Sequence, residues 1–277
     1  MKLSGSLSAA DKLKADYELF GVPSDRNAVK RGARDGPEAI RKASQRLETL
    51  LWHRKHEVSD IRYYDCGDVN IDSVRTLELN RRKKIFLGGD HSISFPLLQY
   101  LFDRNAVEEI IAIDAHADFR DTYKSNRFSN ACVMRRIAEL IGFENVTEIG
   151  VRSSSVDEYE FIKCNITIYD AETLIEKGVE YVLEALRGEK EKTYLSVDID
   201  VLDPSIAPGV EHPEPCGMSL ETLISLIHGI IMRRDVVASD VVELNPKRDY
   251  RNGITSINAA RVVFEILACY CERDNCL

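Results

Sequence analysis

Short apolar runs closed by Gly, Asp or Ser recur along the chain, separated by stretches with helical periodicity. Residues 17–20, 84–87, 110–113, 146–149, 167–168, 193–197 and 236–242 form these runs and predict strands. They are apolar almost throughout instead of alternating, the pattern of strands buried on both faces of a parallel sheet. Residues 36–51, 96–102, 130–141, 155–163, 171–186, 219–232 and 254–271 carry apolar positions at helical spacing. The first of these opens with Gly36-Pro37, where proline suits a first helical turn. Alternating strand and helix units predict an α/β fold on one central, mainly parallel sheet. No internal repeat or Pro/Ser-rich linker marks a boundary, so residues 1–277 read as a single domain.

Composition narrows the function classes. The chain has 277 residues, 44% hydrophobic and 30% charged, enough for a sizeable core. With 37 Lys+Arg against 46 Asp+Glu the net charge is −9, and no run of five or more Lys/Arg interrupts it. That predicts no nucleic-acid partner and no anionic membrane surface. No apolar run approaches the ~20 residues of a membrane span, and the first 20 residues mix Lys, Asp and Ser with isolated apolar positions, unlike a leader. The expectation is a cytoplasmic protein. Cysteines at positions 66, 132, 164, 216, 269, 271 and 276 include no CxxC pair and read as reduced thiols.

Chemistry concentrates where three of the apolar runs end. Residues 84–87 lead into Gly88-Gly89-Asp90-His91, residues 110–113 into Asp114-Ala115-His116-Ala117-Asp118, and residues 194–197 into Asp198-Ile199-Asp200. In open parallel sheets ligands bind beyond the carboxyl ends of strands, so the three clusters point at one place. Asp114, His116 and Asp118 are two apart, as are Asp198 and Asp200, and period-two spacing puts each set on one side of an extended chain. One Asp-x-Asp at a strand end is commonly a turn or cap; three clusters are poorly explained that way. With His91 they bring together four carboxylates and two imidazoles. Buried together, the carboxylates repel one another unless cations or protons neutralise them, and two divalent cations match their charge. Oxygen ligands with imidazole and no thiolate favour Mn²⁺, then Fe²⁺, Co²⁺ or Ni²⁺, over a structural Zn²⁺ site.

Other residues read as structural. His228 is a satisfied histidine at the core or its boundary, and His53 and His56 mark a solvated helix end beside Trp52 and Lys55. Cys269 and Cys271 point to different faces of the last helix. Gly88-Gly89 lacks the GxGxxG spacing of a dinucleotide site and suits a tight backbone turn.

The three clusters resemble those of the ureohydrolases, the family of arginase and agmatinase. The matching residues are Gly88-Gly89-Asp90-His91-Ser92, Asp114-Ala115-His116-Ala117-Asp118 and Ser196-Val197-Asp198-Ile199-Asp200-Val201-Leu202-Asp203-Pro204. The likeness runs from Phe20-Gly21-Val22-Pro23 and Gly32-Ala33-Arg34-Asp35-Gly36-Pro37 to Ala259-Ala260-Arg261. It implies a three-layer αβα sandwich around a mainly parallel sheet, the arginase/deacetylase-like fold, and a homotrimer or hexamer. It also implies two manganese ions, one on His91, Asp114, Asp118 and Asp198, the other on Asp114, His116, Asp198 and Asp200, with Asp114 and Asp198 bridging. In such enzymes a metal-bridging hydroxide attacks a guanidinium carbon, and Asp118 would orient it and pass its proton to the departing amine. Glu243, in Val241-Val242-Glu243-Leu244-Asn245-Pro246, matches the glutamate that pairs with the guanidinium, whose planar fork suits a carboxylate.

Within the family, Phe119-Arg120-Asp121-Thr122-Tyr123 and Ala131-Cys132-Val133-Met134-Arg135-Arg136 look like agmatinase, which implies hydrolysis of agmatine to urea and putrescine. Arginases place small polar residues here for an α-carboxylate that agmatine lacks. The negative net charge suits a small cationic guanidino substrate. The alternatives are a sister enzyme on arginine, guanidinobutyrate or another guanidino or formimino compound, and a metal-binding homologue with little turnover. Two departures from the agmatinase pattern bear on this. Gly209-Val210-Glu211-His212-Pro213 stands where the pattern has Gly-Thr-Gly-Thr-Pro, and Glu211 is the expected receptor for the distal amine. Ser129-Asn130-Ala131 replaces Ser-His-Ala, where the family histidine is thought to shuttle protons or hold substrate; asparagine hydrogen-bonds but does not titrate near neutrality. His212 is one group that could take over. Losing a general acid–base group typically costs ~10²–10⁴-fold in rate, so hydrolysis is expected to be slower than the family norm. Asn130→His is expected to raise kcat at unchanged metal content; a fall in turnover of every guanidine would instead mark Asn130 as adapted to another substrate.

Overall fold

The computed structural model describes residues 1–78, 80, 82–186 and 192–275. Along them run β1 (Tyr17–Val22), α1 (Gly36–Ser44), β2 (Leu50–Leu51), β3 (His56–Glu57), β4 (Tyr63–Asp68), β5 (Lys83–Gly88), α2 (Ser94–Phe102), β6 (Glu109–Ile113) and α3 (Val133–Ile141). There follow β7 (Val146–Ile149), α4 (Val156–Asn165), β8 (Thr167–Tyr169), α5 (Ala171–Ala185), β9 (Lys192–Asp198), α6 (Leu220–Arg233), β10 (Asp235–Val242) and α7 (Ile254–Arg273). Eight strands lie side by side in the order β4-β1-β5-β10-β9-β6-β7-β8, and every neighbouring pair is parallel. Helices α1, α5, α6 and α7 cover one face over a core that includes Ile40, Leu183, Leu226 and Phe264. On the other face α2, α3 and α4 pack around Leu98, Met134 and Ile162. The central strands are buried on both faces, which is why they read as unbroken apolar runs. This is the three-layer αβα arrangement.

Strand order matters most for the site. β5, β10, β9 and β6 are neighbours, so their carboxyl ends open along one edge. Val242 of β10 lies opposite Asp198 of β9, and Ile113 of β6 opposite Val197. The residues that follow these strands therefore emerge side by side.

Three elements differ from the sequence reading. The helix expected over residues 36–51 ends at Ser44, whose hydroxyl turns back to donate to the Arg41 carbonyl at 2.7 Å. The chain then turns so that fully buried Leu51 enters the core from an antiparallel β2–β3 hairpin. His53 and His56 accordingly sit on this hairpin and not at a helix end; His53 Nε2 is 3.3 Å from Glu265, and Lys55, with φ 59°, places its ammonium 3.8 Å from the Trp52 ring centre. Edge strand β4 had no counterpart because Tyr63-Tyr64-Asp65-Cys66-Gly67-Asp68 is half polar. Finally, α7 is long and apolar enough to span a membrane by length and composition, although Asn258, Arg261 and Glu265 interrupt its apolar run; it is mostly buried inside the fold, against α1 and α6. His228 lies at the core boundary, 3.5 Å from Glu272. Cysteines 66, 132, 164, 216 and 269 are free, and Cys276 lies outside the described residues.

The polar strand β4 is tied down by a buried ion pair. Arg41 of α1 donates to both oxygens of fully buried Asp65, at 2.8 and 2.9 Å, and also to Asp68. Removing one partner of such a pair leaves a buried charge unmatched and typically costs about 3–5 kcal/mol. Arg41→Ala is expected to lose stability of that order in urea denaturation, and a loss under about 1 kcal/mol, the worth of a surface pair, would contradict this role.

Candidate metal centre and active site

The carboxyl edge of the four central strands gathers the residues the sequence singled out. His91 follows β5, Glu243 follows β10, Asp198 ends β9 with Asp200 just beyond, and Asp114, His116 and Asp118 follow β6. His91 Nδ1 lies 3.0 Å from Asp114 Oδ2, 3.2 Å from Asp118 Oδ2 and 3.5 Å from Asp198 Oδ2. His116 Nδ1 lies 3.0 Å from Asp200 Oδ2 and 3.7 Å from Asp114 Oδ1. Two groups have the donor spacing to hold a metal ion, His91 with Asp114 and Asp118, and His116 with Asp114 and Asp200. Asp114 belongs to both. Asp198 stands beside them, its Oδ1 accepting from the Asp200 N–H at 2.9 Å.

The donor chemistry fits cations. One imidazole nitrogen faces three carboxylates and can donate to only one at a time, so buried Asp114 Oδ2, 3.0 Å from that nitrogen, is left without a well-directed hydrogen bond among the described residues. Without a cation the group takes up protons. Burial, then the Asp200 and Asp114 charges, pushes the Asp198 carboxyl well up, and burial lifts Asp118 to about 6 against its His91 hydrogen bond. Burial likewise lifts Glu243 to about 8 and carries Glu148 well up, both of whose oxygens are buried without a hydrogen-bond partner among the described residues. Burial opposes charge on the imidazoles, yet the aspartates win: His116 is pushed up to about 12 by Asp200 and Asp114, and His91 rises through Asp114 and Asp118.

Glu243 and Asp118 occupy left-handed backbone, at φ 63° and 47°, a conformation that costs a non-glycine residue of order 1–3 kcal/mol and concentrates at functional sites. The Glu243 N–H donates to Gly89 O at 2.9 Å. Gly89 is required there, because a Cβ would fall 1.8 Å from the Ser24 carbonyl oxygen. Glu243 Oε1 accepts from the His91 N–H at 2.8 Å and from Asn130 Nδ2 at 2.9 Å. Asn130 in turn accepts from the Val29 N–H at 3.1 Å. Glu243, Asn130, Asp118, Asp198, Asp200 and His116 line one cleft.

The loop after β9 departs from expectation. Glu211 is buried and faces Asn245, which donates to its Oε1, and Arg248, 3.3 Å from Oε2. It is absent from the cleft wall, and the carboxylate that lines it from this loop is Glu214. His212 does line the cleft, its ring centre 6.2 Å from that of His116 and edge-on to it. Burial, then the His116 charge, lowers its pKa, so His212 stays neutral near physiological pH.

Sequence reasoning also missed Asp240 of β10. Fully buried, it accepts from Ser94 Oγ, Tyr194 OH and Ser196 Oγ at 2.5, 2.7 and 2.7 Å. Ser196 has one hydroxyl hydrogen and gives it to Asp240, so toward His91 Nε2, 3.1 Å away, it accepts. In the neutral ring the one hydrogen therefore sits on Nε2, and Nδ1 is the ring atom left to serve as a ligand once its own proton is displaced.

An all-parallel αβα sandwich with two carboxylate–imidazole groups at its carboxyl edge is the architecture of a metal-binding ureohydrolase. The arginase family model matches residues 15–269, and the chain belongs to that family. An agmatinase from Halalkalibacterium halodurans is 32% identical over 279 residues, 94% of each chain. Arginase 1, mitochondrial, from Oryza sativa is 33% identical over 288 residues, 95% of this chain and 84% of that one. The crystal structure of agmatine ureohydrolase of Thermoplasma volcanium has a TM-score of 0.89 at 29% identity, over 99% of this chain and 95% of that one.

The electrostatics make the metal-free protein sensitive to pH. Acids whose folded pKa is raised contribute stability that is present below the ordinary carboxylate range and lost as pH climbs to the raised value, about 6 for Asp118 and about 8 for Glu243. The raised histidines contribute in the same sense, their share being lost as pH rises past the ordinary imidazole value. Asp114, lowered, opposes this only in strong acid. Thermal unfolding of metal-stripped protein should therefore show a midpoint that falls between about pH 5 and 8. Divalent metal should flatten or reverse that fall, because its ligands bind deprotonated. A metal-free midpoint that rises through this window would contradict the charge assignment.

Proposed function

We propose that this chain is a binuclear manganese amidinohydrolase that cleaves agmatine to urea and putrescine in the cytoplasm. The observation that carries the reading is Glu243, a buried carboxylate in the wall of the cleft. Its Oε1 is held by His91 and Asn130, and its Oε2 has no protein partner among the described residues. A carboxylate fixed by one oxygen and open at the other suits the N–H fork of a guanidinium.

His91, Asp114, Asp118 and Asp198 would hold one cation and Asp114, His116, Asp198 and Asp200 the other. Bound there, the cations supply Lewis acidity and neutralise the carboxylates. Glu243 positions the guanidinium carbon. Asp118 takes a proton from the attacking water as the new C–O bond forms. It delivers that proton to the amine nitrogen as the C–N bond breaks. Asn130 holds Glu243, a task histidine could share, and adds no titratable group of its own.

Two features support agmatine over an α-amino acid. Arg120, the arginine in the cleft wall, has its Nε 3.3 Å from Glu158, so its charge is matched from within the fold rather than offered to a carboxylate. A relative of similar length carries the name agmatinase. Urea release from agmatine, arginine and guanidinobutyrate, and formamide release from formiminoglutamate, with and without Mn²⁺, tests the proposal. Agmatine should lead arginine by at least about tenfold in kcat/KM, and only with metal. Faster turnover of another compound would reassign the substrate; metal binding without urea or formamide from any of them would mark a homologue of little activity.

A further inference from the structure

Resting on that reading, one group at the open end of the cleft remains unused. Glu243 is 5% exposed, whereas the Glu214 side chain is 35% exposed, and both line the same cleft. Glu214 is not a loose surface acid. Arg152 donates to the carbonyl oxygens of Glu214 and Pro215 at 2.9 Å each, and to those of Asp200 and Val201 at 3.0 and 3.1 Å. The guanidinium thus clamps this loop to the segment that carries Asp200. Pro213 and Pro215 flank Glu214 and restrict its backbone further. Its Oε1 accepts from Ser153 Oγ at 3.0 Å and lies 3.8 Å from His116 Nε2. Its Oε2 has no partner among the described residues.

We propose that Glu214 is the receptor for a cationic group at the far end of the substrate, so that the cleft selects chains cationic at both ends. Glu243 receives the guanidinium at the buried end. A primary ammonium at the open end meets a carboxylate already held in place, so little side-chain freedom is lost on binding. A substrate ending in a carboxylate meets like charge there. Glu211, turned into the fold against Asn245 and Arg248, has no part in this.

The test compares agmatine with butylguanidine, which has the same four-carbon chain without the amine, on Mn²⁺-loaded wild type and Glu214→Gln. The ratio of kcat/KM for agmatine to that for butylguanidine should fall about 10–100-fold in the variant, the effect of one charge-assisted hydrogen bond. The change should sit in KM, since a remote contact is made equally in ground and transition states. Glu214→Lys should shift preference toward guanidinobutyrate. An unchanged ratio overturns the proposal. So does a fall in bound Mn²⁺ with equal losses on both compounds, which would make Glu214 a support for His116. Calorimetric affinities of the two guanidines, measured alongside, keep the question separate from turnover. If wild type releases urea from neither, the proposed reaction fails, yet weaker agmatine binding in Glu214→Gln still supports the receptor. Equal binding, or no binding, overturns it.

Discussion

Four aspartates and a glutamate, brought together in a largely buried space by the ends of four neighbouring strands, repel one another, and the site is organised around that repulsion. The parallel order β5-β10-β9-β6 makes the crowding unavoidable, since each strand delivers at least one carboxylate or imidazole to the same edge. Two histidines answer part of the charge, and protons answer more, as the raised Asp118, Asp198 and Glu243 show. What remains is a demand for cations. Asp114, with one oxygen lacking a well-directed hydrogen bond among the described residues and a place in both ligand groups, expresses it most directly.

Around this charge the fold fixes orientation. Asp240 and Ser196 set which nitrogen of His91 carries hydrogen, and Asn130 with the His91 N–H holds one oxygen of Glu243. These are hydrogen bonds between buried groups, where loss of a partner typically costs about 1–3 kcal/mol. The left-handed backbone at Asp118 and Glu243 is sustained by the same surroundings, including the close approach of Gly89 to Ser24. Strain and ordered polar contacts thus meet at the residues with chemistry to perform.

The alternation of strands and helices was legible because central parallel strands must be apolar on both faces. The ligand clusters were legible because period-two spacing at a strand end leaves few ways to arrange Asp114, His116 and Asp118. Asp240 was hidden for the opposite reason: it is a single acid inside an apolar run, and its partners Ser94, Tyr194 and Ser196 come from α2 and β9. That Glu211 turns into the fold while Glu214 faces the cleft was equally out of reach, since the loop has no period and its facing depends on Arg152 binding five carbonyls. Strand β4 escaped notice because its burial relies on Arg41, 24 residues of chain before Asp65 and in a helix, rather than on its own apolarity. The hairpin carrying His53 and His56 looked helical because a periodic pattern does not reveal where Ser44 ends a helix.

Anomalous diffraction from Mn²⁺-soaked crystals would show whether these crowded carboxylates hold two cations. Two peaks roughly 3.5–4 Å apart are expected, one beside His91 Nδ1 and Asp118, the other beside His116 Nδ1 and Asp200, with Asp114 and Asp198 reaching both. A single peak, or ions bound away from these six residues, would contradict that.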